Sequence, residues 1–176
     1  GINYCLSIMN PGLGDFELGN GNTIAWLRYA GWMVTCPVLL MFLVSLTTLA
    51  TATSTSAPVR LVPLLIANQM MILLGVTSSA VVAPTKWFLF GLASLFGGVV
   101  YVCSFQCLSL LFRSVDGWRA RALVGTMGGC FMFGWVMYPI LFAVGQSGAK
   151  VLSESGEKVG YLIGDLLSKN LFTFVS

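Results

Sequence analysis

Lys169 and Asp165 stand four residues apart in "GDLLSKN", inside the last apolar stretch of the chain. A charged side chain at the centre of a membrane helix costs about 2.5–3.5 kcal/mol on insertion scales, so two in one segment call for an offset. At 3.6 residues per turn, positions four apart lie one above the other on one helical face, where carboxylate and amine neutralise each other directly or through whatever the lysine carries. The pair reads as a plain salt bridge near a helix end, or as a lysine that snorkels to the surface, since only seven residues follow it. It also reads as chemistry, because a desolvated amine is the group that forms Schiff bases with carbonyl compounds. The preceding apolar segment, "FGWVMYPILF", favours the chemical reading. Its Trp135, Tyr138 and Phe142 recur at i, i+3 and i+7, which stacks three rings on one helical face, and Pro139 bends the helix around them.

The elements that must position these groups follow from composition. Of 176 residues, 57% are hydrophobic and only 9% charged, and the mean hydropathy is +0.88, far from a soluble domain. No Asp, Glu, Lys or Arg occurs between Arg28 and Arg60, Arg60 and Lys86, Lys86 and Arg113, or Arg121 and Lys150. Each gap exceeds the roughly 20 residues that cross a bilayer as a helix. With the run from Val159 onward this predicts five spanning segments, and their length favours helices over the short alternating strands of a barrel. Ile2 to Met9 is apolar but too short to cross alone, so it is expected to be the end of a helix that begins upstream.

Polar clusters mark the connections: "NPGLGDFELGNGNT", "TATSTSAPVR", "APTK", "FRSVDGWRAR" and "GQSGAKVLSESGEK". Alternating sides, they put Arg60, Arg113, Arg119 and Arg121 on one face and Lys86, Lys150 and Lys158 on the other. The positive-inside rule makes the arginine face cytoplasmic, and the C-terminus with it. The five cysteines, Cys5, Cys36, Cys103, Cys107 and Cys130, lie in apolar runs without CxxC spacing, which predicts neither disulfides nor zinc. Histidine is absent, removing the commonest acid–base group and metal ligand. Neither catalytic residues nor a metal is expected, and the chain is not read as an enzyme. A net charge of +3 gives no reason to expect a nucleic-acid partner; the expected partner is the lipid bilayer.

"WVMYPILF" followed by "YLIGDLLSKN" resembles the sixth and seventh helices of microbial rhodopsins. "WLRYAGWMVTCPVLL" resembles their third helix, in its channelrhodopsin form. The resemblance runs from about Tyr4 to the C-terminus. It implies an all-α membrane protein with the seven-transmembrane-helix rhodopsin bundle, residues 1–176 forming one retinal-binding domain of five full helices and the end of the second. It further implies that Lys169 carries all-trans retinal as a protonated Schiff base, with Asp165 as its counterion. The retinal-lining positions fall on Trp32, Thr35, Cys36, Met71, Gly75, Trp135, Tyr138 and Phe142, and Tyr4 matches a tyrosine near the Schiff base. Phe142 stands where the pumps carry tryptophan.

The resemblance also sorts the functions. An outward proton pump of this family needs third-helix carboxylates as proton acceptor and donor, and the matching residues are Gly31 and Phe42, so proton pumping is not expected. Channelrhodopsins carry the cysteine of "TCP" and often a fourth-helix aspartate that gates with it; here these positions are Cys36 and Asn68, an amide able to hydrogen-bond but not to titrate. Pro37 frees a carbonyl of the same helix. Arg28 is expected either to gate the extracellular side or to serve as an interfacial anchor. Few carboxylates along the path predict a light-gated channel conducting anions, chloride above all. "YPILFAVGQSGAKVLSES" also looks most like the anion-conducting channelrhodopsins of cryptophyte algae. The alternatives are a sensory photoreceptor module of an enzyme-linked rhodopsin and a cation-conducting channelrhodopsin. A multi-pass protein of the plasma membrane is expected, with homodimers as in the resembled family.

Overall fold

The computed structural model describes residues 15–19, 21, 23–51 and 59–171. The four charge-free gaps become four long helices: α1, Trp26–Ala50; α2, Leu61–Ala80; α3, Thr85–Ser114; and α4, Trp118–Val144. All four are long and apolar enough to cross a membrane. At about 1.5 Å rise per residue the shortest of them matches a hydrocarbon core of about 30 Å. Helices are forced here because lipid offers no partner to a backbone N–H or C=O, so each segment must satisfy its own. A fifth helix, α5, Glu154–Asp165, passes into a π-helical turn at Leu166–Leu171 that contains Lys169.

Antiparallel α2 and α3 form the most extensive helix pair, α1 packs across both, α4 lies on α3, and α5 with its π turn lies on α4. Leu40, Leu43, Val100, Cys107 and Phe131 are fully buried where α1, α3 and α4 meet. Large apolar residues such as Leu49, Phe88, Leu95 and Phe133 point outward, as expected where the surroundings are acyl chains. Pro37 removes the donor that would meet the Met33 carbonyl, and Gln69 of α2 repairs the gap, its Nε2 donating to that carbonyl at 3.0 Å.

Three segments differ from the sequence expectation. "FRSVDGWRAR", read as a loop, is mostly helix: only Val115–Gly117 connect α3 to α4, because Gly117 takes φ +83°, a left-handed turn open to glycine. The last helix starts at Glu154, upstream of the expected Val159. Ser153 caps it, accepting from the Gly156 N–H at 3.1 Å, and Glu154 and Glu157 in the first turn meet the positive end of the helix dipole. In the first polar cluster two short strands, β1 (Phe16–Glu17) and β2 (Thr23–Ile24), pair antiparallel with Phe16 opposite Ile24. Asp15 ties this hairpin to α5 through a 3.0 Å ion pair with Lys158. The Ile2 to Met9 run, with Tyr4 and Cys5, lies outside the described residues.

Candidate functional site

The π-helical turn sets the direction of Lys169. A π turn widens the helix and rotates its side chains relative to an α continuation, a feature frequent at functional sites. Here it aims the Lys169 amine at Asp165, one turn back, and the two form an ion pair. Asp165 is also held by the bundle: Tyr138 of α4 donates its phenol proton to Oδ1 at 2.5 Å, and Trp32 of α1 donates its indole N–H at 3.2 Å. The Lys169 amine lies 3.5 Å from the Tyr138 oxygen and 5.4 Å from the Trp32 ring centroid. Ser168 completes the cluster, its hydroxyl 2.8 Å from that of Tyr138 and 2.7 Å from the Gly164 carbonyl. A lysine so enclosed does not snorkel. The salt bridge is present, and it sits within a ring of aromatic donors that leaves the amine beside a cavity.

The close approach of the lysine segment to α4 depends on Gly134. A Cβ there would come within 2.8 Å of the Ser168 Cβ and 2.9 Å of the Gly164 carbonyl oxygen. Gly134→Ala therefore pushes the π turn off α4 and lengthens the Tyr138–Asp165 contact. The expected cost is about 1–3 kcal/mol, as for other overpacked cores, read as a lower thermal midpoint of the purified protein. An unchanged midpoint would show that the turn is not held at this point.

A cavity of about 360 Å³ lies on the other side of the Trp32 and Tyr138 rings. Seven of the residues that the resemblance assigns to a retinal pocket stand on its wall: Trp32, Cys36, Met71, Gly75, Trp135, Tyr138 and Phe142. Trp135 stacks on Phe131 at 5.1 Å, and Trp32 packs against Tyr138 at 4.8 Å. Thr35 departs from expectation: among the described residues it is exposed and off this cavity, and its hydroxyl donates to the Gly31 carbonyl at 2.9 Å, one turn back. Lys169 and Asp165 stand behind the wall rather than on it. Tyr4 lies outside the described residues.

The sequence reading missed the α3 side of this cavity. Phe90, Ala93, Gly97 and Tyr101 line it, and Phe90 stacks flat on Phe142 with centroids 4.6 Å apart. No periodic signal marks that face, since α3 is apolar on all sides. Tyr29 and Tyr161 were also missed. The Tyr29 hydroxyl pairs with Ser79 at 2.9 Å, and Tyr161 is nearly fully buried.

Two expectations about gating residues change. Asn68 is fully buried, but no hydrogen bond joins it to Cys36: both its amide nitrogen and its oxygen lack a partner among the described residues. Sharing a buried position is not enough for a bond; the two side chains must also point at each other. Arg28 is no interfacial anchor. Its side chain is 9% exposed, its Nη2 meets Glu157 at 3.4 Å, and its guanidinium lies over the Tyr161 ring at 3.7 Å. Glu157 also accepts from the Gln146 N–H at 2.5 Å. Buried charges persist only when paired and hydrogen-bonded, and this cluster meets both conditions.

With this geometry in place, comparison with known proteins identifies the scaffold. The pattern of the family described as bacteriorhodopsin-like protein matches residues 1–176. Bacterial rhodopsin CSR3 of Haloarcula vallismortis is 30% identical over 171 residues, 96% of this chain and 66% of that protein. Sensory rhodopsin I of Haloarcula marismortui is 28% identical, with the same coverage. Among solved structures, the red light-activated channelrhodopsin Chrimson superposes with a TM-score of 0.88 at 28% identity, over 99% of this chain and 60% of that one. The chain thus spans 60–66% of the length of these relatives. Proteins of this family bind retinal through a Schiff-base lysine. Four apolar spanning helices, a fifth that brings a lysine and an aspartate to an aromatic cavity, and a match along all 176 residues make this chain an integral-membrane member of the bacteriorhodopsin-like family of microbial rhodopsins.

Proposed function

We propose that the protein is a light-gated ion channel that conducts anions, chloride among them, with retinal held on Lys169. The fit to the chromophore rests on the cavity: flat rings suit a polyene, a volume of about 360 Å³ falls within the range of about 300–1,000 Å³ for small-molecule sites, and the amine stands just behind the Trp32–Tyr138 wall. Retinal bound there, in the all-trans form, supplies light absorption and a change of shape. Trp32 and Tyr138 keep Asp165 beside the cationic nitrogen, and Trp135, Phe142 and Phe90 confine the ligand's apolar body.

The observation that carries the ion preference is the charge on the spanning helices. Helices α1 to α4 contain no Asp or Glu but carry Arg28, Lys86, Arg113, Arg119 and Arg121. Gly31, next to the Trp32 that donates to Asp165, brings no carboxylate to accept a proton, and Phe42 none to donate one. A path so lined favours anions, since selectivity follows the sign of the charge along a pore. The likeness to a channelrhodopsin structure supports a channel. The sensory rhodopsins among the relatives favour a second reading, a photoreceptor that signals without conducting. In either case the protein is placed in the plasma membrane with its C-terminus in the cytoplasm, as residues 1–176 of a retinal-binding rhodopsin domain, and homodimers fit both. Cys36 and Arg28 stay as gating residues in this reading, and Asn68 acts with Cys36 only after a rearrangement that turns their side chains together.

Whole-cell recording of the full-length protein under illumination tests the reading. The light-evoked current should reverse at the chloride potential, moving by about 59 mV for a tenfold change in external chloride, as for any monovalent ion. Reversal that follows sodium or protons would replace it with a cation channel, and absence of current in every ionic condition would leave the sensor.

A further inference from the structure

The cavity behind Trp32 and Tyr138 is not closed on all sides. Its lining residues from α1, α2 and α5 are buried or half-buried, whereas five residues of its wall are exposed, and all five belong to α3 or α4. Ser94, Gly98 and Val102 follow one another at four-residue steps, so they form one strip along α3. Val136 and Pro139, three apart, form the facing strip on α4. Together the strips frame a slot from the cavity to the outer surface of the bundle. Gly98 keeps it wide, since a Cβ at that position would meet nothing within 4 Å.

What lies outside the slot is lipid. Both helices are spanning helices, and the exposed residues around the opening, Leu95, Val99, Phe105, Phe133 and Ile140, are large and apolar. Among the described residues, no charged side chain lines the cavity. Toward the α5 start, by contrast, the bundle is filled by Arg28 on Tyr161 and by Glu157 with Gln146, a charged cluster no apolar molecule crosses without breaking it.

We propose that the α3–α4 slot is the port through which the chromophore is loaded from the bilayer. This rests on the reading of the cavity as a retinal site. Retinal is a long apolar aldehyde that partitions into membranes, so the lipid phase is where it is concentrated. Lys169 lies beyond Trp32 and Tyr138, behind the cavity wall, so the molecule enters aldehyde first and its bulkier ring end comes to rest nearest Gly98. Side chains at the rim then set the rate of loading without touching the attachment point.

The test uses retinal-free full-length protein in phosphatidylcholine nanodiscs, mixed with vesicles that carry all-trans retinal, and follows the growth of visible absorbance. Gly98→Trp and, separately, Val136→Trp should slow that growth by about tenfold, as expected when entry needs a conformational opening, each rate being taken relative to that variant's own final absorbance. The second variant, on the facing helix, covers the case in which the first fails to fold. Phe88→Trp, at a position 71% exposed on α3 and away from both the opening and the cavity wall, should load at the parent rate. Loading at the parent rate in both slot variants would overturn the port alone. A parent protein that never develops a visible band would instead overturn the retinal reading, and the port with it.

Discussion

Full-length protein carrying Lys169→Ala, incubated with all-trans retinal, stays colourless. The expectation follows from where the amines are. Lys86 begins α3, Lys150 lies in the connection after α4, and Lys158 is engaged by Asp15 at 3.0 Å and Glu154 at 2.7 Å. Lys169 alone among the described lysines is placed beside the cavity, with its nitrogen 5.5 Å from the centroid of the wall residue Tyr138. Covalent attachment needs an amine within bonding reach of the aldehyde, and a shift of even an ångström or so is costly in such reactions. The loss should therefore be complete. Lys169→Arg should be equally colourless, since a guanidinium keeps the charge but does not condense. A visible band that survived either change would place the attachment elsewhere.

Asp165→Asn should destabilise the retinal-free protein by about 3–5 kcal/mol, the range for removing one partner of a buried ion pair. Trp32, Tyr138 and Lys169 all donate toward this one carboxylate, and an amide offers a single oxygen, without charge, in its place. Both members of the pair are largely enclosed, with side chains 14% and 15% exposed, so water offsets little of the loss. The diagnostic variant is the double one. Lys169→Met with Asp165→Asn removes the stranded cation along with its partner and should recover most of the lost thermal midpoint. Equal midpoints for the single and double variants would show that the two charges are not coupled.

How far the site was legible varied with the kind of signal. The i, i+4 spacing of Asp165 and Lys169 and the aromatic face of α4 are local helical facts, and the structure joins the two at Tyr138, with the charged pair behind the cavity wall. Met71 and Gly75, which rested on resemblance alone, also reach the cavity. Thr35, assigned by resemblance, does not line this cavity; its hydroxyl donates to the nearer Gly31 carbonyl, a bond that helical spacing alone does not announce. Asn68 and Cys36 share the buried interior but not a bond, since no pattern in one dimension fixes a side-chain rotamer.

Charge-free gaps longer than a bilayer crossing were sufficient to place four spanning helices in order, because lipid permits no other backbone solution for such segments, whereas the fifth expected span is described as the 12-residue α5 and its π turn. Loop lengths were not readable: a positive φ at Gly117 and a serine cap at Ser153 turned polar stretches into helix ends. The α3 wall, the slot beside Gly98 and the Arg28–Glu157 pair across 129 positions came into view only with the packed bundle. A helix that is apolar on every side carries no mark of which side faces lipid and which faces a ligand, so that choice falls to the shapes of its neighbours.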